Sequence, residues 1–212
     1  MRDIVRPGGK RRSAPAIRFL DILGALTGLS VTAPLLMVLA LIVKLTSPGP
    51  VLFRSTRVGW RGRPFTLLKF RSMYLGAETQ GAAITTANDP RVTPIGRALR
   101  RWKLDELPQF LNVLGGDMSL VGPRPESPAY VARYSREQLA ILDTKPGITS
   151  PASLLYRDES SILSGDHWEE HYLREIMPAK LAIDLEYSRR RTVWSDVRVL
   201  LQTIGILTIS RK

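Results

Sequence analysis

The longest apolar stretch lies near the start of the chain. Ile22 to Val43 reads ILGALTGLSVTAPLLMVLALIV, 22 residues without a charge. A straight helix of that length reaches roughly 33 Å, enough to cross the hydrocarbon of a bilayer. The run is longer than the apolar part of a signal peptide. It also ends in Lys44-Leu45-Thr46-Ser47-Pro48-Gly49-Pro50, which is not a small-residue cleavage site. It lacks the polar stripe of a soluble core helix. Pro34 sits just past its middle, where a missing N–H and a ring clash bend or break a helix. Thr32 is positioned to serve a freed backbone carbonyl. Gly24 and Gly28 make a GxxxG pattern, a weak signal of helix packing.

Beyond this segment the pattern becomes that of a folded domain. Val51-Leu-Phe53 and Phe65-Thr-Leu-Leu-Lys-Phe70 read as short strands about Gly59 and an Arg61-Gly62-Arg63 turn. Residues 76–94 read as loop, and Pro94 to Leu114 as helix with a break near Pro108. Gly115 to Pro128 reads as loop. Ser135 to Leu142 reads as a short helix with Ser135 at the N-cap and Gln138 at N3. Pro178 to Arg190 and Trp194 to Ile209 read as the closing helices. The last has a broad apolar surface, compatible with either a headgroup-level helix or ordinary core packing. Trp60, Trp102, Trp168 and Trp194 are open to the same two readings. The expected architecture is α+β and mainly helical. It comprises a basic segment (1–18), a Pro-kinked membrane helix (19–46) and a compact catalytic domain with amphipathic interfacial helices and a small β element (47–212).

Charge changes this picture at two points. Of 31 basic residues only seven are lysine, against 19 acidic ones, for a formal charge of +12. Such a chain seeks anions: nucleic acid, anionic lipid or phosphorylated substrate. No nucleic-acid-binding signature is present. Cations bracket the apolar run on both sides: Lys10, Arg11, Arg12 and Arg18 before it, Lys44, Arg54, Arg57, Arg61 and Arg63 after it. Both ends therefore read as cytoplasmic, and a re-entrant hairpin turning at Pro34 reconciles them better than a straight span. Cysteine is absent, which excludes disulfides, thiolate catalysis and Cys-based zinc sites. With only His167 and His171, a His-rich metal site is excluded too.

The densest chemistry runs from Lys103 to Glu126. Asp105 and Glu106 are adjacent carboxylates just after the Arg97, Arg100 and Arg101 cluster. At a helix break they can embrace one ligand. Oxygen ligands suit Mg²⁺, and an Asp carboxylate can attack phosphorus. The same pair on an intact helix would be a solvated face or would pair with Arg100, Arg101 or Lys103. Pro123 and Pro125 hold Arg124 between them, which suits a rigid, bidentate phosphate contact. Lys69, Arg71 and Arg57 add cations around the strand pair. The face of Arg97 and Arg101 could meet diphosphate or lipid headgroups.

Four stretches together carry a resemblance. They are Lys69-Phe-Arg-Ser-Met73, Leu104-Asp-Glu-Leu-Pro-Gln-Phe-Leu-Asn-Val-Leu114, Gly116-Asp-Met-Ser-Leu-Val-Gly-Pro-Arg-Pro125 and Lys145-Pro-Gly-Ile-Thr149. With the Pro-containing apolar segment and Asp184-Leu-Glu-Tyr187, the chain resembles the bacterial sugar transferase family from about Arg18 to Ile209. It is similar to the small monotopic phosphoglycosyl transferases, in their minimal catalytic form. The resemblance implies transfer of a phosphosugar from a UDP-sugar to polyprenyl (undecaprenyl) phosphate, with release of UMP, as the first membrane step of a surface glycan pathway. The implied place is the cytoplasmic face of the bacterial inner membrane. It implies a covalent aspartyl intermediate on Asp105, with Glu106 assisting and both carboxylates near Mg²⁺. It also implies that Arg124 is a phosphate ligand and that the Pro34 segment is re-entrant. Lipid of the inner membrane is an implied partner, nucleic acid is not, and homodimerisation is left open. The segment after Thr149, Ser150-Pro-Ala-Ser-Leu-Leu-Tyr156-Arg157-Asp158-Glu159, departs from the family pattern, so the sugar does not follow from the resemblance.

Overall fold

The computed structural model describes residues 15–77, 89–163 and 167–209. Lys10, Arg11 and Arg12, and residues 78–88 of the expected loop, lie outside them. The chain opens with one long helix, α1 (Pro15–Thr46), followed by an antiparallel hairpin of β1 (Leu52–Val58) and β2 (Pro64–Phe70). Its register runs from Leu52↔Phe70 to Val58↔Pro64. Next come α2 (Pro94–Arg101), α3 (Gln109–Gly115), β3 (Ser119–Val121) and α4 (Pro128–Val131). β4 (Gly147–Thr149) then pairs parallel to β3. Five helices complete the described chain: α5 (Pro151–Leu155), α6 (Glu159–Ile162), α7 (Trp168–His171), α8 (Met177–Arg190) and α9 (Val193–Ile209). The protein is thus mainly helical, with two two-stranded sheets among the described residues.

Three expectations change in detail. The hairpin is longer than the alternation indicated, because β1 continues through Arg54-Ser55-Thr56-Arg57 with polar side chains on both faces. The helix read over Pro94 to Leu114 is two helices separated by a single 3₁₀ turn at Leu104–Glu106. Ser135 and Gln138 do form the reciprocal capping pair (Ser135 N–H to Gln138 Oε1, 2.8 Å; Gln138 N–H to Ser135 Oγ, 3.2 Å), but the turn that follows, Gln138–Asp143, is 3₁₀.

α1 is tied to the rest of the chain at both ends. Near its start, Arg18 donates to the carbonyls of Val113 (2.6 Å) and Leu114 (2.8 Å), satisfying orphan acceptors in the last turn of α3. One turn on, buried Asp21 accepts from Ser119 Oγ and Leu120 N–H, both at 2.8 Å. Ser119 accepts in turn from Arg191 at 2.7 Å, and Arg191 grips Asp196 of α9 through its Nε and Nη2. At the far end, Arg71 donates to the carbonyls of Val43 (3.3 Å), Ser47 (2.7 Å) and Pro48 (2.9 Å) and to Ser47 Oγ (2.7 Å). Between the anchors Gly24 lies flush against Leu120 and Gly28 against Phe110, where a Cβ would collide with those side chains. The GxxxG pattern therefore packs α1 onto its own domain. The helix runs unbroken through Pro34, and Thr32 Oγ1 donates to the Gly28 carbonyl at 2.6 Å, one turn back. Its other face is apolar and uncovered: Val31 is 74% and Leu45 75% exposed.

The core forms around these anchors. Ala25 joins Leu67, Val113, Met118, Leu120, Val121 and Val199 in one cluster. Leu39 and Val43 join Phe70 and Leu99 in a second. A third, away from α1, gathers Tyr130, Ile141, Leu163, Tyr172, Ile176, Met177 and Leu181. Asn112 of α3 welds α3 to the hairpin edge. Its amide donates to Thr66 O (2.7 Å) and accepts from Leu68 N–H (3.0 Å), so one buried side chain does the work of a neighbouring strand.

Asp184 in α8 is buried and accepts from the Ala152 N–H at the start of α5 (3.1 Å). Burial pushes its carboxyl up to about 6 from the usual 3.8, against the lowering pull of that hydrogen bond. A carboxyl pKa raised on folding favours the native state at low pH, and the benefit is lost as pH rises through about 6. Asp184→Asn keeps the acceptor and removes the buried charge. It should raise stability at pH 8 by up to about 3 kcal/mol, with the difference fading between pH 6 and pH 4. Thermal unfolding of both proteins in detergent across that range measures it.

Candidate functional site

The Asp-Glu pair occupies the break between α2 and α3. Lys103 takes the left-handed conformation (φ 56°, ψ 21°), which ends the path of α2 and starts the 3₁₀ turn Leu104–Glu106. Pro108 then opens α3. The turn buries both carboxylates, Asp105 to 5% and Glu106 to 8% exposure. Successive side chains on a 3₁₀ turn point about 120° apart, so the two acids meet different surroundings.

Glu106 is fully committed to cations. Its Oε1 accepts from Lys69 Nζ of β2 and from Arg124 Nη2, both at 2.8 Å, and its Oε2 takes a longer 3.4 Å contact from Arg124 Nη1. Burial alone would favour the neutral acid, yet Arg124 and Lys69 hold Glu106 well below the usual carboxylate range. Asp105 behaves oppositely. Burial raises its pKa, the Lys69 charge opposes that rise, and the Glu106 charge adds to it. Its Oδ1 is buried without a hydrogen-bond partner among the described residues. Such an atom costs about 1–3 kcal/mol unless a ligand meets it. It is the oxygen best disposed to take a cation or an electrophile.

Arg124 reaches this site from a stiff loop. Pro123 and Pro125 are buried on either side, and the Pro123 carbonyl accepts from Gly147 N–H at 2.9 Å. The Gly122 N–H in turn donates to Thr149 O at 2.9 Å. Gly122 and Gly147 touch so closely that a Cβ on either would strike the other segment's backbone. The Gly-Pro-Arg-Pro stretch and the Lys-Pro-Gly-Ile-Thr stretch, separate in sequence, are therefore one seam, and it aims the arginine. The Arg124 side chain stays 36% exposed beyond its grip on Glu106.

The other sequence-predicted residues divide. Lys69 joins Asp105, Glu106 and Arg124. Arg57 lies beside them, 4.0 Å from Glu126, with a buried Nε that lacks a partner. Arg97 and Arg101 stand exposed on α2, with Arg101 5.9 Å from the Trp102 ring, while Arg100 donates to Ser72 Oγ at 2.8 Å. Arg71 does not face the acids with its guanidinium, which caps the end of α1. Pro34 lies in α1, away from the acids. A cavity of about 1800 Å³ links these parts, from Leu20, Leu23 and Thr27 of α1 past Asp105 and Arg124 to Tyr172 and Lys180. Its last portion holds Glu126, Glu159, Tyr172 and Lys180, to which the sequence assigned no site role. Glu126 adjoins the Pro-Arg-Pro motif and Glu159 ends the stretch that departs from the family pattern, whereas no local pattern marks Tyr172 and Lys180.

The comparisons bear on this arrangement. The model of the family described as bacterial sugar transferase matches residues 12–210. A UDP-glucose:undecaprenyl-phosphate glucose-1-phosphate transferase of Caulobacter vibrioides is 40% identical over 96% of this chain and 74% of its own length. A protein of the same name from Escherichia coli is 42% identical over 87% of this chain and 38% of its own. A UDP-N-acetylgalactosamine-undecaprenyl-phosphate N-acetylgalactosaminephosphotransferase of Aeromonas hydrophila is 36% identical over 88% and 42%. The chain thus spans less than half the length of the last two. A buried acid pair, its cations and the long apolar helix all fall within the matched span, and the chain belongs to the bacterial sugar transferase family.

Proposed function

We propose that this protein transfers a phosphosugar from a UDP-sugar to polyprenyl phosphate in two steps through Asp105. The observation that carries the reading is the asymmetry of the acid pair. Glu106 is pinned between two cations, and Asp105 offers a buried oxygen with no partner. In the first step an Asp105 oxygen attacks the phosphorus that bears the sugar. The bond from that phosphorus to the bridging oxygen breaks, and UMP leaves with the electron pair. In the second step a phosphate oxygen of the polyprenyl phosphate attacks the same phosphorus and the Asp105 carboxylate is released. No net proton is exchanged, so the site needs no histidine. Arg124 and Lys69 stabilise the charge that builds on the equatorial oxygens.

A Mg²⁺ ion fits the donor set in part. Asp105 Oδ1 is an unsatisfied hard oxygen, and Mg²⁺ is commonly held by one or two carboxylates plus substrate phosphates. The Glu106 oxygens are already engaged by Arg124 and Lys69, so Asp105 would be the main protein ligand and Glu106 would add negative charge nearby. Bound there, the metal would supply charge neutralisation of the diphosphate.

The same reading puts the active site at the cytoplasmic face of the bacterial inner membrane, with α1 re-entrant. The two-ended anchoring of α1 supports this. Arg18 and Asp21 bind the same domain as Val43 and Ser47, which is what a re-entrant helix with both ends on one side requires. The uncovered apolar residues of α1, and Trp194 of α9 at 82% exposed, supply surface for lipid. The helix itself is long and apolar enough to cross a membrane.

Two outcomes test the proposal. Incubation with a UDP-sugar alone should release one UMP per site and add the phosphosugar mass to the Asp105 peptide. Asp105→Asn should abolish the adduct and lower turnover by more than about 1,000-fold. Normal turnover in that variant, or UMP release only when acceptor is present, overturns the two-step route. In spheroplasts, cysteines placed at the exposed positions Arg133 and Phe19 should both resist a membrane-impermeant thiol reagent until the membrane is opened. Labelling of Phe19→Cys alone from outside would make α1 a straight span.

A further inference from the structure

Beyond Arg124 the cavity changes character. Arg124 holds Glu106 through both of its Nη atoms, and the cavity that both residues line continues to a second group of polar side chains. In that group Tyr172 O–H donates to Glu126 Oε1 at 2.8 Å, and Lys180 Nζ meets both oxygens of Glu159 at 2.9 and 2.8 Å. Lys180 also lies 5.5 Å from the Tyr172 ring. These four residues line the same cavity as Asp105.

Two features indicate that the group does more than hold the fold. Lys180 is buried and its partner Glu159 partly so (22% exposed), and an ion pair with a buried member is a poor source of stability. Tyr172 begins a π-helical turn, Tyr172–Ile176, a rare backbone form that recurs at functional sites. The chemistry then selects the ligand. Two carboxylates disfavour phosphate. Carboxylates alternating with phenol and ammonium donors match hydroxyl groups, each of which donates and accepts. The ligand is therefore neutral, polyhydroxylated and joined to a diphosphate that Arg124 reaches.

We propose that the Glu126–Tyr172 and Glu159–Lys180 pairs receive the hexose of the donor, and that Glu159 and Lys180 determine which hexose is accepted. This rests on the transferase reading above. Glu159 also ends the stretch Ser150 to Glu159 that departs from the family pattern, which accords with a role particular to this chain. The donor's ribose offers the same hydroxyl chemistry, and the experiment separates the two.

The test measures kcat/KM for UDP-glucose, UDP-galactose, UDP-N-acetylglucosamine and UDP-N-acetylgalactosamine, together with inhibition by UMP. The parent, Glu159→Gln and Tyr172→Phe are compared, with thermal unfolding as a check on folding. The two variants preserve shape and ring. The expected result is that Glu159→Gln changes the ratio between the best and second-best donors by about 10-fold or more, with UMP inhibition unchanged. Tyr172→Phe, acting through Glu126, should shift the ratio in a smaller degree. Equal losses for every donor with weakened UMP inhibition would place the ribose there and overturn the hexose assignment. Equal losses with unchanged UMP inhibition, or no change at all, would make the group structural. A parent that turns over none of the four donors would overturn the transferase reading itself, and this inference with it.

Discussion

A carboxylate removed from water requires compensation, and Glu106 receives it from two cations on two different parts of the chain. Lys69 comes from the hairpin and Arg124 from the proline-flanked loop, so the ion cluster closes the hairpin, the α2–α3 break and the β3–β4 seam onto one point. Removing either cation would leave a buried negative charge short of a partner, which is costly in a way that an exposed pair is not. The cluster also separates two acids that adjoin in sequence. Glu106 is held ionised by its partners, whereas Asp105 keeps an oxygen that nothing among the described residues satisfies.

That division depends on backbone more than on side chains. The left-handed Lys103 turns the chain so that Asp105 and Glu106 fall on a 3₁₀ turn instead of an α-helix. The contact of Gly122 with Gly147 lets β3 and β4 approach at a distance no larger residue permits. Asn112 replaces a missing strand at the hairpin edge and so keeps Lys69 in line with the turn. Each device is local, and each positions one member of the cluster.

Much of this was legible in the sequence, where a periodic pattern or a proline marked it. The apolar N-terminal helix, the hairpin, the capping pair at Ser135 and the two closing helices carry such marks. So does the acid pair with its Pro-Arg-Pro partner. The β3–β4 pairing was not legible, because each strand is three residues long and one lies inside a stretch rich in Gly and Pro. Arg71 shows the limit of reading cations by proximity in sequence. It neighbours Lys69, but alternate residues beyond a strand end need not share a face, and its guanidinium turns to the carbonyls of α1. Tyr172 and Lys180 reach the cavity through a π-turn and a tertiary contact, neither of which leaves a periodic trace.

The anchoring of α1 at both ends has a consequence for how the molecule comes into being. The helix supplies Ala25, Leu39 and Val43 to two of the three core clusters, and its Val43 carbonyl accepts from the buried Arg71. Packing of the helix and closure of the domain are therefore coupled, and the helix is not an anchor added to a finished fold. A domain cut free at Ser47 would expose Leu120, Phe110, Phe70 and Leu99 where the helix had lain and take the Val43 carbonyl from Arg71. The long apolar helix is in this sense part of the fold that positions the acid pair, and trimming it away uncovers apolar core.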